Sequence, residues 1–248
     1  MPKITFEGRH PFAVDYPQPE PASKHIPEWW KNLPTYINDN KFNMQALMPL
    51  GGGPSPNVGI KRCIPVLDGL SAGYIIRLHC DIEFSYRLGD HPHPLKSNRH
   101  QNPFFASFIE PVSHWSLEQF DGYNIPDGYT HQVYKWNANW IVKTPPGYSC
   151  LFTHPIGYNE LPFKSLSGVV DTDSLETDVN TPFIIKSDFE GIIEAGTPIA
   201  QIIPFKREDW TSEVVQLPPG EEERRLERLK TKLVSSYGRH YRKAKTYK

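Results

Sequence analysis

Apolar and polar side chains alternate along Tyr74–Phe84: Ile76, Leu78, Cys80 and Ile82 fall on one side, and Arg77, His79, Asp81 and Glu83 on the other. A period of two is that of a half-buried strand. It puts His79 on the polar face as an ordinary surface histidine. Further strand-like pieces follow at 104–110, 131–136, 139–144, 148–154, 181–186 and 191–205, with turn signals between them such as Pro126-Asp127-Gly128 and Pro145-Pro146-Gly147. Short strands at even spacing predict an antiparallel barrel or sandwich in which segments 74–84, 140–153, 182–186 and 198–205 are all strands. Residues 60–70, IKRCIPVLDGL, make a compact apolar segment.

The period changes after Pro218-Pro219-Gly220. Leu226, Leu229, Leu233, Tyr237 and Tyr241 recur at helical spacing, with Glu221, Glu222 and Glu223 in front and basic residues behind. Acids at the start and bases at the end suit the helix dipole, so a helix of roughly 20 residues is expected, with one apolar face to be covered by the barrel or a partner subunit. A second, short helix is predicted within Ser23–Pro34, capped by Ser23, stopped by Pro34 and bearing Trp29 and Trp30. The two indoles serve as packing anchors or as a ligand-stacking platform.

Composition sharpens this outline. The chain has 25 prolines in 248 residues, and five of them lie in the first 22, which read as an extended arm. Three parts result: a Pro-rich N-terminal arm with the Trp-bearing helix (1–57), a β core (58–217), and a C-terminal helix with a basic tail (218–248). The fold class is mainly β, a β-clip or jelly-roll-like barrel. Charge is uneven. Residues 221–248 hold ten Lys and Arg against four Glu, and the other 220 residues carry seven more acids than bases. A basic tail on an acidic body points to an anionic partner, a solvated helix face being the alternative.

Cys63, Cys80 and Cys150 are odd in number and lack a CxxC pair, which argues against a disulfide framework and for a reducing compartment. No apolar run approaches the roughly 20 residues of a membrane span. The N-terminus has no signal-peptide pattern. A cytoplasmic setting is expected.

Candidate chemistry concentrates at residues 144–207. Three motifs stand there in order: Pro145 to Tyr148 entering a strand, Gly168-Val169-Val170-Asp171-Thr172-Asp173, and Gly196 followed by Ile199-Ala200-Gln201-Ile202-Ile203. Together they resemble the core of the dUTPase and dCTP deaminase superfamily, a β-clip fold. The resemblance implies a nucleoside pocket lined by Gly168 and Tyr148, with His154 beside it. Asp171 would orient an attacking water and Asp173 would assist, Gln201 would lie on the phosphate side, and magnesium would bridge the phosphates. Ser174-Leu175-Glu176 stands where the family places Tyr-Arg-Gly, Thr153–Gly157 replaces its Arg-Ser-Ser segment, and the Gly-rich lid motif is absent. Such departures are those of a shared fold with a different task. Over nearly its whole length the chain also resembles an uncharacterised family of tailed phages and some bacteria, through PEWWKNLP, KTPPGYSCLFTHP and GTPIAQIIPFKREDW. That resemblance would put it in the host cytoplasm or the virion.

Elsewhere, His91 and His93, with His100 or His114, could present imidazoles to iron or another divalent metal, as in a cupin-type oxygenase; Pro92 and Pro94 read instead as loop. Gly51-Gly52-Gly53-Pro54 lacks the GKS or GKT ending of a phosphate loop. Cys150 alternates with apolar residues and reads as core. Asp171 and Asp173 share a strand face, so both carboxylates could meet one cation, or they could cap a turn.

The expected function is a non-enzymatic phage-type structural or interaction module, homo-oligomeric, with arm and helix docking on neighbours. An enzyme acting on a nucleotide or small phosphorylated ligand comes second, favoured by an Arg beside Asp171. A His-metal oxygenase comes third.

Overall fold

The computed structural model describes residues 1–9, 13, 15–36, 59–86, 92–96, 110–230 and 237–248. By internal contacts the chain forms two compact units, one of residues 1–25, 72–207 and 247–248, the other of 26–71 and 208–246. The first 25 residues group with the β unit, and residues 59–71 with the other.

The β unit holds fourteen strands among the described residues, in four antiparallel sheets. β1 (Thr5–Gly8) pairs with β8 (Trp140–Lys143). A four-stranded sheet runs in the order β10 (Phe163–Ser165), β12 (Asn180–Ile185), β7 (Tyr134–Asn137) and β6 (Val112–His114). A five-stranded sheet runs β11 (Gly168–Val170), β9 (Tyr148–Thr153), β14 (Pro198–Lys206), β3 (Tyr74–Arg77) and β2 (Glu20–Pro21). The last sheet is β13 (Gly191–Ile193), β4 (Ile82–Ser85) and β5 (His93–Lys96). The mainly-β expectation holds. The sheet order shows no closed ring of strands among the described residues, so the barrel is not part of what is observed. Strand segment 104–110 lies outside the described residues except for Glu110, as do Gly51–Pro54, His91, His100 and Leu233.

Two expectations are corrected. The alternation of 74–84 is one pattern but two strands, because the chain changes partners at its middle. Leu78 donates its N–H to the Thr197 carbonyl (2.8 Å) and accepts from the Gly196 N–H (2.7 Å), and the Asp81 carboxylate accepts from the Ala195 N–H (2.7 Å). The 194–197 turn thus wedges between β3 and β4. Nor is His79 an ordinary surface residue. It is half-buried and stacked on Tyr16, ring centroids 4.7 Å apart, and burial holds its pKa down at about 4. The N-terminal arm is also engaged at home: it supplies β1 and β2, and Arg9 pairs with the buried Asp178 (3.0 Å).

The core of this unit is aromatic. Trp136 lies flat on Phe183 (3.7 Å, interplanar 9°), with Phe163 edge-on to both and Phe84 edge-on to Phe183. Phe84, Phe163, Phe183 and Trp136 come from β4, β10, β12 and β7, so the cluster joins two sheets. Close approach is enforced at Gly73 (φ +69°), where a Cβ would meet the Ile202 carbonyl oxygen at 1.9 Å; only glycine fits such a contact. At the chain's end the Tyr247 ring meets Tyr74 edge-on, and the Tyr74 hydroxyl donates to the Lys248 carbonyl (3.2 Å).

In the second unit, α1 (Glu28–Asn32) follows Pro27 rather than starting at Ser23, since a proline fits the entry to a helix and not its interior. Trp30 is buried and Trp29 is exposed. The apolar segment 60–70 is a short 3-10 turn followed by α2 (Ile64–Leu70). α3 (Glu221–Lys230) begins where the Glu triplet places it. The basic tail meets an anion within its own unit: buried Asp68 accepts from Arg242 (2.6 Å) and Lys245 (3.0 Å), and the Arg242 hydrogen bond holds its carboxyl below the usual range. No helix among the described residues is long and apolar enough to cross a membrane.

Two outcomes are expected. Phe183→Ala should cost about 3–5 kcal/mol in denaturant unfolding, the range for a large core aromatic. His79 makes stability depend on pH. Its folded pKa, about 4, lies below the 6.5 of an exposed imidazole, so the unfolded chain binds more protons between those values. Stability should therefore fall as pH drops from 6.5 to 4, by up to about 3 kcal/mol, and His79→Gln should flatten that part of the curve.

Candidate functional site

The strands β11, β9 and β14 lie side by side, with Val170 opposite Cys150 and Cys150 opposite Pro204. That register brings three sequence-distant pieces to one end of the sheet: the turn after β11, the turn before β9, and the exit of β14. Asp171 and Asp173 stand on the first, Gly147 on the second, Arg207 on the third. The Arg207 N–H donates to the Gly147 carbonyl (2.8 Å), which fixes the backbone from which the guanidinium reaches back.

The guanidinium binds both acids. Nη1 donates to Asp171 Oδ1 (3.2 Å), Asp173 Oδ1 (3.0 Å), Ser149 Oγ (3.0 Å) and the Tyr148 carbonyl (3.2 Å), while Nη2 donates to Asp173 Oδ2. Asp173 also accepts the Gly147 N–H (2.8 Å), and Asp171 accepts the Ser149 hydroxyl (2.7 Å). Arg207, then the Gly147 amide, hold the Asp173 carboxyl down at about 2. The two acids differ in access: the Asp171 side chain is 63% exposed and that of Asp173 only 10%. Beneath them the Thr144 and Thr172 hydroxyls share a hydrogen bond (2.7 Å), and Thr172 donates to Cys150 Sγ (3.3 Å). Cys150 is fully buried and its thiol pKa is pushed up by burial, as a core residue's would be.

Both carboxylates are paired with the Arg207 guanidinium. A magnesium ion at this pair would have to displace the guanidinium. Among the described residues no group of three His, Cys, Asp or Glu side chains is arranged to hold a metal.

The other residues picked from the sequence are distributed elsewhere. Gln201 is fully buried, accepting from the Ile156 N–H (2.9 Å) and donating to the Ala72 carbonyl (2.7 Å), so its amide braces the backbone. His154 is tied likewise: Nε2 bonds the Tyr158 carbonyl (3.0 Å), Nδ1 accepts the Ser165 N–H (3.3 Å), and burial lowers its pKa. Gly168 is exposed on the edge strand opposite Phe152, and Tyr148 is half-buried with its carbonyl in the Arg207 network. His93 and His114 come together, ring centroids 6.2 Å apart, with His114 edge-on to Tyr134. His91 and His100 lie outside the described residues.

Sequence reasoning missed Arg207 and Ser149, and placed Gly147 only as part of a turn. The available signal was the Lys206-Arg207 pair closing a long, mostly apolar strand, but the partners of Arg207 follow only from the register of β14 on β9. No family model, curated protein or solved structure matches the chain.

The network predicts an order of effects. Asp173→Asn should lower the melting temperature more than Asp171→Asn, because Asp173 holds both a backbone amide and the guanidinium. Since the folded Asp173 pKa lies below that of an unfolded Asp, the wild type's advantage over Asp173→Asn should be complete above about pH 4 and vanish as pH falls toward 2. Thermal melts at stepped pH read both.

Proposed function

We propose that the protein is a non-enzymatic structural module that self-associates through its C-terminal arm, residues 208–230. The observation that carries this reading is the exposure of that arm. Trp210 is 85% exposed, Val214 fully so, and Val215, Leu217 and Leu226 are also in water. Large apolar side chains grouped on one segment mark an interaction surface, and every copy carries the same one. The acid pair supports the same reading, because its charge is answered within the fold by Arg207. A phage-type role remains part of the proposal through the sequence resemblance.

A nucleotide-directed enzyme on a β-clip-like core is the second reading. One observation favours it: an Arg does stand beside an exposed Asp171.

Sedimentation velocity separates the two readings when paired with a phosphate-release assay. The structural module should sediment as an oligomer at micromolar concentration, and Trp210→Asp with Val214→Asp should give monomers of unchanged circular dichroism. A wild type that stays monomeric overturns it. Magnesium-dependent hydrolysis of any nucleoside triphosphate, lost in Asp171→Asn, would establish the second reading instead.

A further inference from the structure

Among the described residues the five-stranded sheet ends in a short edge with no further strand beside it. Among the described residues β11 pairs only with β9. On its outward face Val169 is 63% exposed and begins an apolar row with Leu151 and Ile203, its successive cross-strand neighbours. On the other face Val170 packs against the core cluster. Above Gly168, on the sheet face, no atom of the described residues lies within 4 Å of where a Cβ would be. Natural sheets shield such edges with charge, proline, a covering segment or a very short edge strand, since bare edges recruit other strands. Gly168-Val169-Val170 carries none of the first two.

The arm has the complementary properties. From Asp209 to Leu217 it has no regular structure, and no backbone hydrogen bond within the described residues engages it. In an extended segment alternate side chains face opposite ways. Trp210 and Val214 would therefore lie on one side, and Val215 and Leu217 on the other. A segment laid flat on a sheet surface uses one side only. A segment added at a sheet edge uses both, and its backbone groups find partners as well. The β11 edge offers apolar contact on both faces, Val169 outward and Val170 toward the core.

From this match we infer that residues 210–217 of one copy add as a strand to β11 of a second copy, extending the five-stranded sheet. The inference rests on the arm-mediated assembly proposed above and names its acceptor. Donor and acceptor are different surfaces, so the contact is heterologous and builds a dimer by reciprocal arm exchange, a ring or a filament.

A mixing experiment tests it on the full chain. Val169→Lys places a charge on the exposed edge and should disable the acceptor only; Val214→Asp with Leu217→Asp should disable the donor only. Each variant alone should be monomeric, with association weakened at least about 100-fold. Their equimolar mixture should give a one-to-one dimer, because one intact donor meets one intact acceptor. Unchanged circular dichroism and melting temperature check that both variants fold. If the donor variant is monomeric while Val169→Lys still assembles, the arm-mediated reading stands and the β11 acceptor is wrong. If the wild type itself is monomeric, both fail. If both variants are monomeric and their mixture stays so, the heterologous contact is overturned.

Discussion

The stack of Trp136 on Phe183 is the contact on which the β unit depends. Phe183 touches Phe84, Phe163, Tyr134 and Trp136, which with Phe183's own strand belong to four strands of two sheets. The described strands are short, mostly three to six residues, and a small sheet is marginal until a hydrophobic face packs against it. The aromatic rings supply that face at one point. They also fix which side of β7 and β12 turns inward, so register in the four-stranded sheet follows from the cluster.

The five-stranded sheet is organised differently. Its central strand β14 is nine residues long, and Ile199, Ala200, Gln201 and Ile202 are all buried. A buried glutamine is tolerable there because both ends of its amide bond backbone groups. At the strand's exit Arg207 ties the turns flanking β9 and β11 into one network. The same residues that suggest chemistry in the sequence thus hold three chain segments in register, and the charge of the acids is used to do so.

The arm is the counterpart to this internal closure. Within the β unit, aromatic rings stack on one another and most buried polar groups are hydrogen-bonded, the Arg77 Nε and Trp136 indole N–H being exceptions among the described residues. After Arg207, Trp210, Val214, Val215 and Leu217 are exposed. An exposed Trp and two exposed Val on one extended stretch are costly in water, and contact with a second copy would remove that cost at every subunit.

The sequence by itself determined what local physics can carry. Alternation identified the strands, because side-chain direction in a strand has a period of two whatever it packs against. The Glu triplet after Pro218-Pro219-Gly220 located the start of α3, because it suits the dipole of any helix. The alternating run of Cys150 marked it as core. Tertiary structure alone decided the rest. The pattern through Leu78–Asp81 is unbroken, yet the 194–197 turn splits it between two sheets. His79 alternates like a surface residue, yet Tyr16 covers it. Asp171 and Asp173 read locally as a catalytic pair, a cation site or turn caps, and that Arg207, more than thirty residues on, binds both follows only from the pairing of β14 with β9 and of β9 with β11. Partner choice across such separations depends on register, and register is set by which surfaces bury together, a property of the folded chain that no local pattern encodes.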